Sequence, residues 1–186
     1  MLIPTLKEKT CAQCGTQFRP FSSTSRVCSP ICAIRSGKDA KAKDRADTKA
    51  RKQALKRIPD LIAETQKAFN AYIRERDKDR PCICCGKPLG VGEVGGAFDC
   101  GHYRSTGSAS HLRFHEANAH AQRKHCNRYG AGRAVDYRIG LCQRIGAEEV
   151  EALEADNAPH KWTREELIAI RAQYVEKLKE LKRSRG

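Results

Sequence analysis

Ten cysteines in a chain of 186 residues, most of them closely spaced, constrain this polypeptide more than any other feature. The first group is CAQCGTQFRPFSSTSRVCSPIC, with Cys11 and Cys14 as a C-x-x-C pair and Cys28 and Cys32 as a C-x-x-x-C pair. Each pair can close a tight turn, and the loop between them brings the pairs together, which suits tetrahedral Zn2+. Gly15 follows the first pair, where such a turn needs conformational freedom. Four thiolates complete the shell, so this site is structural. The second group opens with PCICCGKPLG, in which Cys82 and Cys85 form the C-x-x-C pair and Cys84 lies between them. Cys126 follows much later. The segment MLIPTLKEKT lacks the apolar core of a secretory signal. The expected location is therefore the reducing cytoplasm, where such cysteines bind metal rather than pair as disulfides.

Aromatic residues make up only 6% of the chain, so a large apolar core is not expected and metal staples would supplement a small one. Lys and Arg number 36 against 22 Asp and Glu, a formal charge of +14. That excess points to a polyanionic partner, nucleic acid before an anionic membrane, and no long apolar run supports a membrane. Residues 35–57 are rich in Ala, Lys and Arg and nearly free of large apolar groups, which predicts an exposed helix. Lys41, Lys43, Arg45, Lys49, Arg51 and Lys52 on it are either solvated or in contact with a DNA backbone, and the two readings are compatible.

After Pro59, Leu61, Ile62, Thr65, Phe69, Tyr72, Ile73 and Arg76 recur at helical spacing. This predicts an amphipathic helix that ends near Asp79, before Pro81. Residues 134–156 read as two short helices broken around Gly146, with Cys142 as a small core residue. Thr163 and Glu166 stand in capping-box register ahead of a stripe of Leu167, Ile170, Tyr174, Leu178 and Leu181. That last helix could pack on its own domain or on a twin subunit.

Between these helices lie the residues with chemistry. GAFDCGHYRSTG places Asp99 three residues before His102, with Arg104 beyond, and FHEANAHAQRKHCNRYGAG supplies Asn118, His120, His125, Cys126 and Asn127. Phosphodiester hydrolysis needs an activated water, an electrophilic phosphorus and a stabilised leaving oxygen. A hard divalent cation, Mg2+ or Mn2+, serves the last two needs and accepts a carboxylate and an amide oxygen as ligands. Asp99 and Asn127 are those candidates, and the imidazole of His102 is the candidate base. Taken alone, Asp99 could equally cap a turn and His102 could ligate zinc. Arg104 and Arg113 are candidate phosphate contacts.

The order of cysteine knuckle, acid and histidine, Asn-x-His, then Cys-Asn resembles the His-Asn-His, or ββα-metal, endonuclease superfamily. CICCG, FDCGHYRSTG, LRFHEANAHAQ, CNRYGAG and YRIGLCQRIG resemble more closely the lambdoid-phage NinG/Rap recombination nuclease family, along nearly the whole chain. D-x-x-H and Cys-Asn also look like phage endonuclease VII. The resemblance implies a mostly helical α+β fold: a zinc-stapled, treble-clef-like ββα-metal core with helical flanks and an N-terminal zinc finger. The expected segments are a finger at 1–34, a basic helical linker at 35–58, the nuclease core with its preceding helix at 59–133, and a helical region at 134–186.

By position the resemblance also implies that Asp99 and Asn127 hold the catalytic ion and His102 activates water. Of Asn118 and His120, one would orient His102 and the other would touch phosphate or metal. The implied activity is endonucleolytic cleavage of branched DNA such as Holliday junctions and D-loops. A two-fold dimer would be the simplest assembly for two symmetric cuts, and phage recombination proteins would be partners. One departure stands out: Arg123 replaces the cysteine that would pair with Cys126. The second zinc site then has Cys82, Cys85 and Cys126, with His125, Cys84 or Cys100 as fourth ligand, or is weakened or empty. The other reading of the chain is a non-catalytic zinc-finger protein that binds DNA or RNA.

Overall fold

The computed structural model describes residues 6–90 and 96–186; the glycine-rich turn expected at 91–95 lies outside the described residues. The chain divides into two compact units, Met1–Lys56 and Arg57–Gly186.

In the first unit, β1 (Lys9–Thr10) and β2 (Gln17–Phe18) pair antiparallel, with Lys9 opposite Phe18. The turn between them carries Cys11 and Cys14 and is closed by hydrogen bonds from Gly15 N to Cys11 O and from Cys11 N to Thr16 O, both 2.9 Å. Gly15 has φ +74°, a left-handed conformation that costs any other residue more. Helix α1 (Pro30–Ala54) starts inside the segment expected to be finger alone, because Ser29 and Pro30 supply a start signal. The Ser29 hydroxyl accepts from Cys32 N at 3.2 Å. Cys32 is its one buried residue, so α1 is polar all round, as its composition predicted.

The second unit is built on α2 (Ile58–Asp77) and α5 (Arg164–Arg183). Phe69 and Ile73 of α2 are fully buried with Leu167 and Tyr174 of α5. Phe69 and Tyr174 meet edge to face at 4.8 Å, an arrangement that favours ring edges over faces. Thr65 donates to Leu167 O at 2.9 Å across the same seam. The stripe on α5 is thus covered by its own unit. Thr163 and Glu166 form the expected capping box.

Beside this pair lies a two-stranded antiparallel sheet, β3 (Phe98–His102) with β4 (Ala119–Arg123), in which Asp99 faces Gln122 and His102 faces Ala119. Sixteen residues join the strands, and two 3-10 turns, Ser110–Leu112 and Glu116–Asn118, lie among them. After β4 comes one π-helical turn, His125–Tyr129. Gly132 at φ +75° and Arg133 at φ +52° then break the chain before α3 (Ala134–Ile145). β4 thus runs directly into a single helical turn, and the first full α-helix after it, α3, starts only beyond this break. Gly146, at φ +91°, separates α3 from α4 (Ala147–Ala155), and Tyr137, Leu141, Val150 and Leu153 make a second small core. Cys142 packs half-buried against it. Among the described residues, no helix is long and apolar enough to cross a membrane.

The free edge of β4 is closed from α2. Asp77 accepts from Ala121 N at 3.0 Å, Arg76 donates to Ala119 O at 2.8 Å, and Ala121 O accepts from Ile83 N at 3.2 Å. An edge so covered cannot recruit a foreign strand.

Candidate functional site

The two thiol groups assemble as sequence spacing suggests. The four sulfurs of Cys11, Cys14, Cys28 and Cys32 lie within 4.8 Å of one another, and so do those of Cys82, Cys84, Cys85 and Cys126. Cys14 to Cys28, Cys28 to Cys32 and Cys82 to Cys84 are each 3.6 Å between sulfurs. A tetrahedron of zinc–sulfur bonds has an edge of about 3.8 Å, whereas a disulfide is about 2.05 Å. Both groups could hold zinc. In the second group the fourth sulfur belongs to Cys84. The expectation of His125 is corrected: its ring is exposed and lies 6.2 Å from that of Tyr129. Cys100 stays apart too, its thiol pushed up to about 12 by burial.

Electrostatics in each group favour a cation. Burial opposes ionisation of Cys11, but hydrogen bonds from backbone N–H groups, first that of Gln13, outweigh it and bring the thiol down to about 6. The neighbouring sulfurs of Cys14, Cys32 and Cys11 push Cys28 up to about 12. In the second group burial again opposes Cys82, and backbone donors led by Arg123 N–H bring it down to about 7, while burial raises Cys84. In the first group Cys11 and Cys14 are lowered while Cys28 is raised, and in the second Cys82 is lowered while Cys84 and Cys85 are raised, a conflict that a bound dication would resolve. Arg123 gives its backbone N–H to Cys82 Sγ at 3.3 Å, and Gln122 Nε2 donates to Cys84 Sγ at 3.4 Å.

Asp99 and Asn127 are brought together. The Asn127 amide donates to Asp99 Oδ2 at 3.2 Å, next to Cys126 of the thiol group. Arg128 forks onto the same carboxylate at 2.8 and 2.9 Å. Burial works against the charge on Asp99, but hydrogen bonds from Arg128 and then Asn127 outweigh it and hold the carboxyl below its ordinary range. A carboxylate and an amide oxygen are a donor set for a hard cation, and the guanidinium is a cation already on that carboxylate.

His102 does not join them. Alternation along β3 places Asp99 on one face and His102 on the other, about 10 Å apart along the strand. The imidazole lies 5.9 Å from the Phe69 ring and its Nε2 meets Arg113 O at 3.0 Å. Burial lowers its pKa, partly offset by that carbonyl. Asn118, fully buried, accepts from Arg104 N at 2.8 Å and donates to Arg104 O at 3.0 Å and Leu112 O at 3.1 Å. It braces the loop that holds His102 without touching the ring. Tyr174 secures the next carbonyl, Phe114 O, at 2.9 Å.

His120 points inward. Its Nδ1 lies 2.9 Å from an Arg76 nitrogen and 3.4 Å from Asp77 Oδ2, and its Nε2 is 3.2 Å from Ala117 O. Asp77, with no exposed surface, also meets Arg76 at 2.8 Å and Arg144 at 3.7 Å. Neither Asn118 nor His120 therefore reaches toward Asp99, contrary to the expectation for one of them. Arg104 is spent on the carbonyls that end α4, including Leu153 O at 2.8 Å, and on Asn157. Arg113 donates to Thr106 O at 2.9 Å and Gln66 at 3.3 Å. These donors of both arginines are thus engaged within the fold rather than turned to a phosphate. Lys41, Lys43, Arg45, Lys49, Arg51 and Lys52 are all exposed along α1.

A family model described as bacteriophage lambda NinG protein matches residues 4–184. This chain belongs to the NinG family. Among curated NinG-family proteins, Protein ninG of Escherichia phage lambda is 38% identical over 94% of this chain and 92% of its own length. Protein ninG of Salmonella phage P22 is 38% identical over 94% and 93%, and that of Escherichia phage 933W is 41% identical over 96% of each. No solved structure matches. Within this NinG-family chain, sequence reasoning missed Arg128, Asp77 and Arg144, and it placed Arg76 on the α2 face without its partners. Their signals, an arginine after Cys-Asn and an ordinary R-E-R-D helix end, carry no distinctive spacing.

Proposed function

We propose that this NinG-family chain is a metal-dependent DNA endonuclease that acts on branched recombination intermediates. The observation that carries the reading is the contact between Asp99 and Asn127, 28 residues apart, beside the second thiol group. A Mg2+ or Mn2+ ion held there would polarise a phosphodiester and offset charge on its leaving oxygen. His102 is the sequence's candidate for the base: its Nε2 donates to Arg113 O and burial lowers its pKa, but it faces away from Asp99 on β3, so its part in activating water rests on the sequence pattern and is decided by the His102→Ala arm of the test below. The exposed basic residues of α1 are suited to the phosphate backbone. The branched substrate follows from the family resemblance.

A second reading is a zinc-module protein that binds DNA or RNA without cutting it. It is favoured by the opposite facing of Asp99 and His102 on β3 and by the internal engagement of Asn118, His120, Arg104 and Arg113. Cleavage of four-way, single-stranded and duplex DNA with Mg2+ or Mn2+, by the wild type, Asp99→Asn and His102→Ala, separates the readings. Cutting that is lost in both variants supports the nuclease with His102 as base. Cutting lost only in Asp99→Asn retains the nuclease and removes His102 from the chemistry. Binding without cutting by the wild type on every substrate selects the second reading.

A further inference from the structure

Taking Asp99 and Asn127 as the metal ligands of the proposed nuclease, we infer that Arg128 is a built-in placeholder for the divalent cation, displaced when metal and a phosphate arrive together. The guanidinium binds both carboxylate oxygens of Asp99, at 2.8 and 2.9 Å. It thereby covers the lone pairs that a hard cation would use. The contact is made to be broken: the Arg128 side chain is 56% exposed and that of Asp99 only 16%. The exposed guanidinium can swing into solvent without moving the carboxylate it leaves, so a dication on Asp99 has only this one two-pronged contact to displace.

The exchange is balanced in charge. Arg128 neutralises Asp99 while the site is idle, so an acid partly withdrawn from water is not left unpaired. Once a dication takes over, the same guanidinium is free, and its fork matches two oxygens of a phosphate as well as it matches a carboxylate. It follows the candidate ligand Asn127 directly in the π-helical turn, so a phosphate bound by Arg128 stays beside the ion. Each ligand then assists the other: DNA draws the arginine off Asp99, and metal on Asp99 releases the arginine for DNA. Such coupling is reciprocal.

The test is Mn2+ binding to zinc-loaded full-length protein, followed by electron paramagnetic resonance, with and without a duplex carrying non-hydrolysable phosphorothioate linkages. Arg128→Ala should bind Mn2+ about fivefold more tightly than the wild type without DNA. The enhancement of Mn2+ affinity by DNA should shrink by a similar factor. Arg128→Lys, which keeps the charge without the fork, should fall between them and guards against a folding defect in the alanine variant. Unchanged Mn2+ affinity in Arg128→Ala, with binding abolished in Asp99→Asn, overturns the placeholder and leaves the metal site standing. Equal Mn2+ affinity in Asp99→Asn and the wild type overturns both.

Discussion

Asn118 and His102 hold two consecutive carbonyls of one loop, Leu112 O at 3.1 Å and Arg113 O at 3.0 Å. The orientation of the imidazole is thus set one peptide away from the amide that braces it. Replacing Asn118 with Ala strands the N–H and C=O of Arg104, whereas Leu112 O keeps the His115 N–H at 3.1 Å. The expected cost is about 3 kcal/mol, read as a lowered melting temperature. Nitrogen chemical shifts of His102 should report a mixed tautomer in that variant. A single Nε2-H tautomer at wild-type stability would refute the bracing role.

Cys84 should be a ligand where His125 is not. Metal analysis of purified protein is expected to find two zinc ions per chain in the wild type, His125→Ala and Cys100→Ser. Cys84→Ser should retain one ion firmly and lose the other to mild chelation. Two firmly held ions in Cys84→Ser would contradict the ligand set.

The buried histidines give stability a pH dependence of definite sign. Burial lowers the pKa of both His120 and His102, with Asp77 partly restoring that of His120. On acidification the unfolded chain takes up protons first, near pH 6.5. Their contribution is therefore present above that pH and lost as pH falls toward the folded values. Asp77, held low mainly by His120 and Arg76 against the effect of burial, adds a loss of the same sign at still lower pH. Denaturant melts at pH 7.5 and 5.5 should show a smaller difference for His120→Gln than for the wild type. Equal differences would remove His120 from the linkage.

Gly140 lets α3 lie against the second knuckle. A Cβ there would fall 1.8 Å from Ile83 O, a backbone atom with no room to give. Gly140→Ala should cost about 3 kcal/mol and speed zinc release from the second group. Wild-type melting and zinc retention would show that the two elements part without penalty.

Local rules made much of this legible from sequence. The capping box at Thr163 and Glu166, the break at Gly146 and the stripe through Leu167 and Tyr174 depend on near neighbours along the chain. So do the knuckle turns. The fourth thiolate was harder, because Cys84, His125 and Cys100 differ as ligands only once β4 is laid beside the 82–85 turn. The charges of Arg76 and Asp77 look like any helix end until the edge of β4 arrives to be capped. One signal was available and points the other way: residues three apart in a strand face opposite sides. The D-x-x-H spacing therefore argued against convergence as soon as 98–102 was read as unbroken strand.

Helix α1 is 25 residues long and begins with two sulfur ligands astride its first turn. Such a polar helix has little beyond its own ladder to sustain it, and starting the ladder is the expensive step. By fixing Cys28 and Cys32, a zinc ion bound there would supply the starting turn for a rod of about 37 Å. That rod carries eight basic side chains against three acidic ones. Chelation would then melt far more than a knuckle: a single ion at that site would govern how far the chain's densest run of positive charge extends into solution.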